Sequence, residues 1–191
     1  MEFIGFPKMP RLSREIIITE KIDGTNAQIA IIEQDGFPSP GALYETGGLA
    51  LFAGSRTRWI TPADDNYGFA KWCLENAEEL LRLGPGRHFG EWWGRGIQRG
   101  YGLKEKRFSL FNVGRWADDN VRPGCCHVVP ELYRGPFDTL IVELELDLLR
   151  TGGSKAAPGF MRPEGIVVFH TAGNFGMKKT IEKDETPKSL Q

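Results

Sequence analysis

The segment around Lys21 contains the first residues whose types and spacing could do covalent chemistry. It runs Thr-Glu-Lys-Ile-Asp-Gly-Thr-Asn over residues 19–26. Asp-Gly between apolar runs is a strong hairpin signal, so a plain turn is one explanation of Asp23-Gly24. In a strand, Lys21 and Asp23 share one face. A lysine at the end of a sheet can act as a nucleophile once nearby cations and desolvation favour loss of its proton.

A second group surrounds Glu91, in the glycine-rich segment His88–Tyr101. Glycines flank Glu91 at positions 90 and 94, and they permit a ligand or another backbone to approach closely. The alternative is that Glu91 is an ordinary exposed carboxylate on a strand. Residues 82–115 carry eight basic and two acidic side chains, a net charge of +6 against −7 for the remainder of the chain. Such a segment suits a site that follows phosphates, although a solvated charged face explains it equally well.

A third group lies near the C-terminal end. The apolar β-branched run 166–168 predicts a buried strand, with Glu164 at its start and Lys178 on the strand that follows. A hairpin could place both side chains near Lys21. A carboxylate can hold Mg²⁺ and a lysine can neutralise phosphate charge. Either residue alone is most often ordinary surface.

The elements that must position these groups follow an α+β pattern. Apolar runs and turn residues predict strands over 16–22, 27–32, 49–53, 56–60, 87–93, 107–113, 165–169 and 175–181. Periodicity predicts helices over 62–83 and 137–150. The expected apolar stripe of the first helix is Phe69, Cys73, Ala77, Leu80 and Leu81; that of the second is Phe137, Leu140, Ile141, Leu144 and Leu148. Strands in antiparallel-looking clusters with inserted helices argue against a doubly wound parallel sheet.

Composition limits the classes of protein further. A length of 191 residues predicts a single domain, and a net charge of −1 excludes a protein that coats nucleic acid by bulk charge. Three cysteines cannot build a secreted disulfide framework. The N-terminus lacks the pattern of a signal peptide, and no apolar run is long enough for a bilayer. We therefore expect a cytoplasmic protein with no membrane partner.

Six short motifs occur in a fixed order along the chain. They are Lys21-x-Asp-Gly, Ser55-Arg56-Thr57, Gly90-Glu91, Phe108-x-x-Phe111, Glu164-Gly165 and Lys178. In this order they resemble the covalent nucleotidyltransferase superfamily of DNA ligases, RNA ligases and mRNA capping enzymes. The details around Lys21 and Glu91 are similar to the RNA ligase branch, typified by the second RNA ligase of T-even phages. The resemblance covers nearly the whole chain, from about Ile4 to Glu185.

The resemblance implies a fold and a set of roles. The fold is a nucleotidyltransferase (ATP-grasp-like) domain of two antiparallel sheets with flanking helices, with the nucleotide between the sheets. Lys21 is similar to the nucleophile that forms a phosphoramidate with AMP, and Arg56 to an arginine that contacts the nucleotide and the RNA end. Glu164 is similar to a carboxylate at the metal, and Lys178 to the lysine at the α-phosphate. The implied nucleotide-binding residues are Glu20, Ile22, Asn26, Glu91 near the ribose and Phe111 on the purine.

Two features depart from the family pattern. The family ends in Lys-x-Lys, whereas this chain has Lys178, Lys179 and then Thr180. Lys179 is a candidate substitute, but neighbouring strand residues face oppositely, which favours Lys178. The chain also ends just after the last motif, so we expect one nucleotidyltransferase domain over residues 1–191 with no appended C-terminal domain. A partner subunit could then be needed to engage the substrate.

The resulting hypothesis is an ATP-dependent RNA ligase of RNA repair that uses ATP and Mg²⁺ (or Mn²⁺). Lys21 would form lysyl-AMP, AMP would pass to a 5′-phosphate end, and a 3′-hydroxyl would displace it. The expected partners are nucleic-acid ends, with RNA as the first choice. Two alternatives stay open: another branch of the superfamily, such as a DNA ligase or a GTP-using capping enzyme, and a nucleotide-binding or RNA-end-binding module that does not ligate.

Overall fold

The computed structural model describes residues 1–182 and 184–185 and divides the chain into two compact units. The first unit comprises Met1–Lys21 together with the chain from Pro130 onward, and the second is Ile22–Val129. Each unit is built on one β-sheet, so the expected α+β architecture with two sheets is confirmed, and one pair of strands in the second sheet is parallel rather than antiparallel. Among the described residues, no helix combines the length and apolar character that a membrane crossing requires.

The first unit is a four-stranded antiparallel sheet with one helix. Its elements are β1 (Glu15–Lys21), β9 (Glu131–Pro136), α4 (Thr139–Gly152), β10 (Gly165–His170) and β11 (Phe175–Thr180). The strand order is β11-β10-β1-β9. The side chain of Asp138 accepts a hydrogen bond from the Leu140 amide at 2.8 Å, which caps the start of α4. Alternate residues of β1 and β10 pack against α4 to form the core: Ile16, Ile18, Ile166, Val168, Leu146 and Leu149.

The second unit contains a larger sheet and the shorter helices. Its strands are β2 (Thr25–Glu33), β3 (Tyr44–Thr46), β4 (Leu49–Ser55), β5 (Trp59–Ile60), β6 (Gly86–Gly94), β7 (Lys106–Leu110) and β8 (His127–Val128). The order is β3-β4-β2-β6-β7-β8, with β5 paired to β4. Neighbours are antiparallel except β7 and β8, which run parallel. The helices are α1 (Phe69–Glu75), α2 (Ala77–Leu80) and α3 (Val113–Trp116), with a 3₁₀ turn at Leu81–Leu83.

The helix predicted over 62–83 begins later than the sequence suggested. Tyr67 and Gly68 have φ angles of +52° and +80°, a left-handed conformation that no α-helix contains. The helix therefore starts at Phe69, and a second break at Asn76 separates α1 from α2. The predicted stripe is confirmed where the helices exist, because Phe69, Cys73, Ala77 and Leu80 are all buried.

The helix predicted over 137–150 exists as α4, but the predicted buried face is wrong. Leu146 and Leu149 are the fully buried residues of α4. Leu140, Leu144 and Leu148 are exposed by 75%, 49% and 50%. Phe137 and Ile141 pack only partly against the core.

Candidate functional site

Lys21 lies at the end of β1, beside a buried carboxylate. Its Nζ donates a hydrogen bond to Oε2 of Glu164 at 2.5 Å. The antiparallel register explains the contact, because Lys21 is opposite Gly165 and Glu164 is the residue just before β10. The Glu164 side chain is 3% exposed and that of Lys21 is 20% exposed. The expected approach of Glu164 to Lys21 is therefore present.

Gly165 allows β10 and β11 to approach closely at this point. Its φ angle is +158°, and a Cβ added there would lie 2.2 Å from the carbonyl oxygen of Lys179 and 2.7 Å from Cα of Thr180. A side chain at this position would push β11 away from β10. The glycine thus keeps β11, which carries Lys178, paired with β10, which begins just after Glu164.

The register also separates the two neighbouring lysines. Lys178 is opposite Val167, which is opposite Thr19, so Lys178 shares the sheet face of Lys21. Lys179 is in the row of Ile166 and Glu20, on the face covered by α4. There its Nζ donates to Glu143 Oε1 at 2.6 Å, and this partner raises the pKa of Lys179. Lys178 is thus the lysine that accompanies Lys21, and Lys179, a candidate nucleotide ligand from the sequence, faces away.

Thr180, which replaces the second lysine of the family pattern, occupies the row of Lys21 itself. It pairs with Gly165, which pairs with Lys21. Its hydroxyl donates to the carbonyl of Glu182 at 2.9 Å. The position beside the candidate nucleophile is therefore polar but uncharged in this chain.

Glu20 points to the α4 face, away from the Lys21 side chain. It is 1% exposed. Its carboxylate accepts hydrogen bonds from Ser154 Oγ at 2.6 Å and from the amides of Lys155 at 2.7 Å and Ala156 at 2.8 Å. Burial raises the pKa of Glu20, and the three hydrogen bonds act in the opposite direction. The nucleotide contact suggested for Glu20 by the sequence stays a prediction, and in the structure its carboxylate is engaged by the loop at 154–156.

In the second unit, Glu91 orders the segment that follows the lysine motif. Its Oε1 accepts a hydrogen bond from the Gly24 amide at 3.0 Å, and its Oε2 accepts one from Asn26 Nδ2 at 2.9 Å. The register explains this contact, because Asn26 on β2 is directly opposite Glu91 on β6. Glu91 is 7% exposed, so the prediction of a simply exposed strand carboxylate is excluded.

Two residues of the glycine-rich segment hold Asp23 in place, and sequence reasoning assigned neither of them a role. The Tyr101 hydroxyl accepts a hydrogen bond from the Asp23 amide at 2.8 Å. Arg99 Nε donates to Asp23 Oδ2 at 3.0 Å. The signal available in the sequence was that both belong to the glycine-rich segment around Glu91. Asp23 is thus more than a turn residue.

The other predicted residues of the second unit lie as follows. Ile22 directly follows Lys21 in the chain and is buried. Arg56 is exposed in the turn between β4 and β5, where the Ser55 amide donates to the Arg58 carbonyl. Phe111 follows β7, its amide donates to the Phe89 carbonyl at 3.0 Å, and the residue is 42% exposed.

A divalent cation has few protein ligands available. Within residues 1–182 and 184–185, no three His, Cys, Asp or Glu side chains are grouped so that they could hold a metal ion. Mg²⁺ is commonly held by one or two carboxylates with substrate phosphates completing its shell. Glu164 fits that kind of site as a single buried carboxylate, and it does not fit an all-protein cage.

Solved structures define the class of the fold. An apo mutant of a Naegleria gruberi RNA ligase matches with a TM-score of 0.60 and 19% identity, covering 88% of this chain and 50% of that one. A mutant of the RNA ligase from the same organism, solved with ATP and Mn, matches with a TM-score of 0.61 and 18% identity, covering 90% and 51%. Another, solved with AMP and Mn, matches with a TM-score of 0.57 and 18% identity, covering 88% and 50%. The fold is therefore that of an RNA ligase nucleotidyltransferase domain, and this chain spans about half the length of those ligases.

The family model for RNA ligase matches residues 14–183. That range includes every motif from Lys21 to Lys178, and the chain belongs to the RNA ligase family. No curated protein matches the sequence.

Proposed function

We propose that this chain is an ATP-dependent RNA ligase that acts through a covalent bond between Lys21 and AMP. The observation that carries the proposal is the pairing of Lys21 with the buried Glu164 at 2.5 Å, on a sheet face that also presents Lys178. Family membership supports the reaction class. The matched ligases solved with ATP or AMP and Mn support the choice of nucleotide and of a divalent cation.

The first step needs the Lys21 amine in its neutral form. In the structure Nζ donates a hydrogen bond to Glu164, and the lysine releases a proton to solvent before it attacks. The nitrogen then bonds to the α-phosphorus of ATP, the bond from that phosphorus to the bridging oxygen breaks, and pyrophosphate leaves with the electron pair. Glu164 would hold a divalent cation together with the phosphates, and that cation would supply positive charge that offsets the phosphate charge.

The remaining residues of the proposed site bind and orient the nucleotide and the RNA end. Lys178 and Arg56 supply positive charge for the phosphates and the RNA end. The exposed Phe111 ring offers a flat apolar surface to the purine. Glu91 acts by holding Gly24 and Asn26 as hydrogen-bond acceptor, which fixes the chain just after Lys21.

Two further steps complete the reaction. AMP passes from Lys21 to a 5′-phosphate end, and a 3′-hydroxyl then displaces AMP and seals the strand. We propose that residues 1–191 act as one nucleotidyltransferase domain, with nucleic-acid ends as substrate and RNA as the polymer. Engagement of those ends by a partner subunit remains part of the proposal.

Incubation with ATP labelled at the α-phosphate, in the presence of Mg²⁺, tests the first step. The wild-type chain should retain the label after denaturation, and Lys21→Ala should retain none. Lys8→Ala, which removes an exposed lysine of the same unit, is the matched control and should label like wild type. Transfer from GTP alone would instead indicate a capping enzyme, and an unlabelled wild-type chain would remove the enzyme proposal.

Sealing assays separate the polymers and the final steps. Matched nicked substrates of RNA and DNA, each with a 5′-phosphate and a 3′-hydroxyl, should show sealing of RNA. Sealing of DNA alone would contradict the RNA assignment. A chain that becomes labelled but joins neither substrate would point to the partner subunit, which addition of a cell extract could supply.

A further inference from the structure

Part of one face of the sheet in the second unit is exposed and carries a row with two aromatic rings. The register aligns Trp59 on β5, Gly54 on β4, Gln28 on β2 and Phe89 on β6 in one row across four strands. Trp59 is 47% exposed and Phe89 is 52% exposed. The chain at these positions therefore presents large rings to solvent where a sheet would ordinarily carry polar side chains.

The opposite face of the same strands is fully used by the core. Ile29, Ala53 and Ile60 alternate with the residues of the row and pack against α1 and the neighbouring strands. The exposed rings are therefore not part of the core, which lies on the other face of these strands. They form a separate surface, and an apolar surface of this kind commonly marks a binding site.

Arg87 adds a positive charge to this aromatic surface. Arg87 on β6 lies in the next row, and its Cζ is 5.3 Å from the centre of the Trp59 ring. Its Nη1 also donates to Gln28 Oε1 at 3.2 Å, which holds the guanidinium across the sheet. Phe52 supports the Trp59 ring from the same row as Arg87, with ring centres 5.7 Å apart.

Flat rings and a guanidinium on an open sheet are the groups that hold single-stranded nucleic acid. Bases stack on aromatic faces and on guanidinium planes, and the positive charge attracts the phosphates. Among the described residues of these two rows, Arg87 is the one charged side chain. The surface they form is therefore positively charged, which complements a polyanion. The adjacent row contains Asn26 and Glu91 of the proposed nucleotide site, which makes the surface continuous with it.

We propose that Trp59, Phe89 and Arg87 form a base-stacking platform that holds a single-stranded segment of the RNA substrate. This inference rests on the proposed ligase function for the identity of the strand. It assigns to the platform a task separate from lysyl-AMP formation, which requires no nucleic acid. The two proposals can therefore fail independently.

Binding of a fluorescein-labelled single-stranded RNA with a 5′-phosphate, followed by fluorescence anisotropy, tests the platform. Trp59→Ala and Phe89→Ala should each weaken binding by about fivefold or more, in line with the loss of one stacked base. Trp59→Phe should recover most of the affinity because it restores a flat ring. Transfer of labelled AMP to Lys21 should stay within about twofold of wild type in all three variants.

Matched controls lie elsewhere on the surface of the same unit. Phe37→Ala removes an exposed phenylalanine outside the sheet, and Arg82→Ala removes an exposed arginine of the basic segment. Both should bind RNA like wild type. Equal losses in the controls, or unchanged binding in Trp59→Ala and Phe89→Ala, would overturn the proposal. A shift of the wild-type chain to a dimer that Trp59→Ala abolishes would assign the surface to a second copy instead.

An RNA of the same length that lacks bases at internal positions separates stacking from charge. The platform predicts that wild type binds this strand as weakly as the alanine variants bind the intact RNA. Equal affinity of wild type for both strands would mean that only phosphates are contacted, and the stacking proposal would then be wrong. Failure of lysyl-AMP formation in wild type would remove the ligase proposal without changing this readout.

Discussion

Glu20 and Lys21 are neighbours in the chain, yet their side chains serve opposite faces of one sheet. Lys21 meets Glu164, whereas Glu20 accepts three hydrogen bonds from the segment Ser154–Ala156. The buried carboxylate therefore ties the end of β1 to a loop more than 130 residues away in sequence. We infer that Glu20 stabilises the strand end on which the candidate nucleophile lies.

Replacement of Glu20 by glutamine should destabilise the protein. The glutamine amide has an NH₂ donor in place of one carboxylate oxygen. That NH₂ group would face either the Ser154 hydroxyl or the amides of Lys155 and Ala156, which are all donors to Glu20 in the wild type. A buried donor left without its acceptor costs about 1–3 kcal/mol, and we expect the free energy of unfolding in urea to fall by that amount. Glu33→Gln, at the exposed end of β2, should change it by less than about 0.5 kcal/mol. Equal effects of the two substitutions would contradict this account.

The sequence predicts some of the site because strand alternation carries over directly into geometry. Alternation correctly separates Lys178 from Lys179, and the hairpin of β10 and β11 follows from two predicted strands. The approach of Glu164 to Lys21 comes instead from the pairing of β1 with β10, between residues 143 apart in sequence. The contacts of Asp23 with Arg99 and Tyr101 were not predictable, because they join positions 76 and 78 residues apart through a glycine-rich turn. The acceptor role of Glu91 likewise depends on a register that the sequence does not specify.

At the scale of elements, α4 shows why periodicity can predict a helix and still misplace its core. Leucines lie on two stripes of this helix, one through Leu140, Leu144 and Leu148 and one through Leu146 and Leu149. Both stripes satisfy a helical repeat, so the sequence does not distinguish them. The structure chooses the second, which packs on β1 and β10.

Two alanine substitutions on α4 test that choice. Leu146→Ala should lower the free energy of unfolding by about 2–5 kcal/mol, because it removes a side chain that is 2% exposed. Leu144→Ala, at a position 49% exposed, should cost less than about 1 kcal/mol. Chemical denaturation of both variants measures the difference. The reverse order of stabilities would mean that the first stripe is the buried one.

The pairing of β10 with β11 depends on the absence of a side chain at Gly165. Gly165→Ala would place a methyl group 2.2 Å from the Lys179 carbonyl, so the two strands must separate. We expect a loss of more than about 1 kcal/mol in unfolding free energy, together with slower lysyl-AMP formation because Lys178 moves. Gly176→Ala is the matched control on β11, where the added carbon lies 3.7 Å from the nearest atom. It should leave both measurements nearly unchanged.

At the scale of the whole molecule, the net charge of +6 over residues 82–115 overstates the cationic surface available to RNA. Several of these side chains have partners inside the second unit. Lys106 donates to the Tyr67 carbonyl, Arg107 pairs with Glu105, and Arg115 donates to the Leu83 carbonyl. The basic charge of this segment therefore serves the fold as well as any ligand, which a count of residues cannot reveal.

Two histidines of the second unit give the stability of the protein a dependence on pH. Burial lowers the pKa of His88, whose Nε2 lies 2.9 Å from the Gly84 carbonyl oxygen, and burial also lowers the pKa of His127. Below pH 6.5 these histidines become protonated in the unfolded chain before they do so in the folded chain. The free energy of unfolding therefore falls as the pH drops below that value. Glu20 acts in the opposite direction, because a carboxyl group with a raised pKa favours the folded state at low pH.

Single substitutions separate these contributions in urea unfolding at about pH 7.5, 6.5 and 5.5. His88→Gln keeps a donor for the Gly84 carbonyl but does not titrate, so it should lose less stability than wild type between the highest and lowest pH. Glu20→Gln removes the opposing contribution and should lose more stability than wild type when the series is extended down to pH 4.5, the ordinary pKa of a glutamate. A His88→Gln profile parallel to that of wild type would show that His88 takes up its proton equally in the folded and unfolded chain, and burial would then have no effect on its titration.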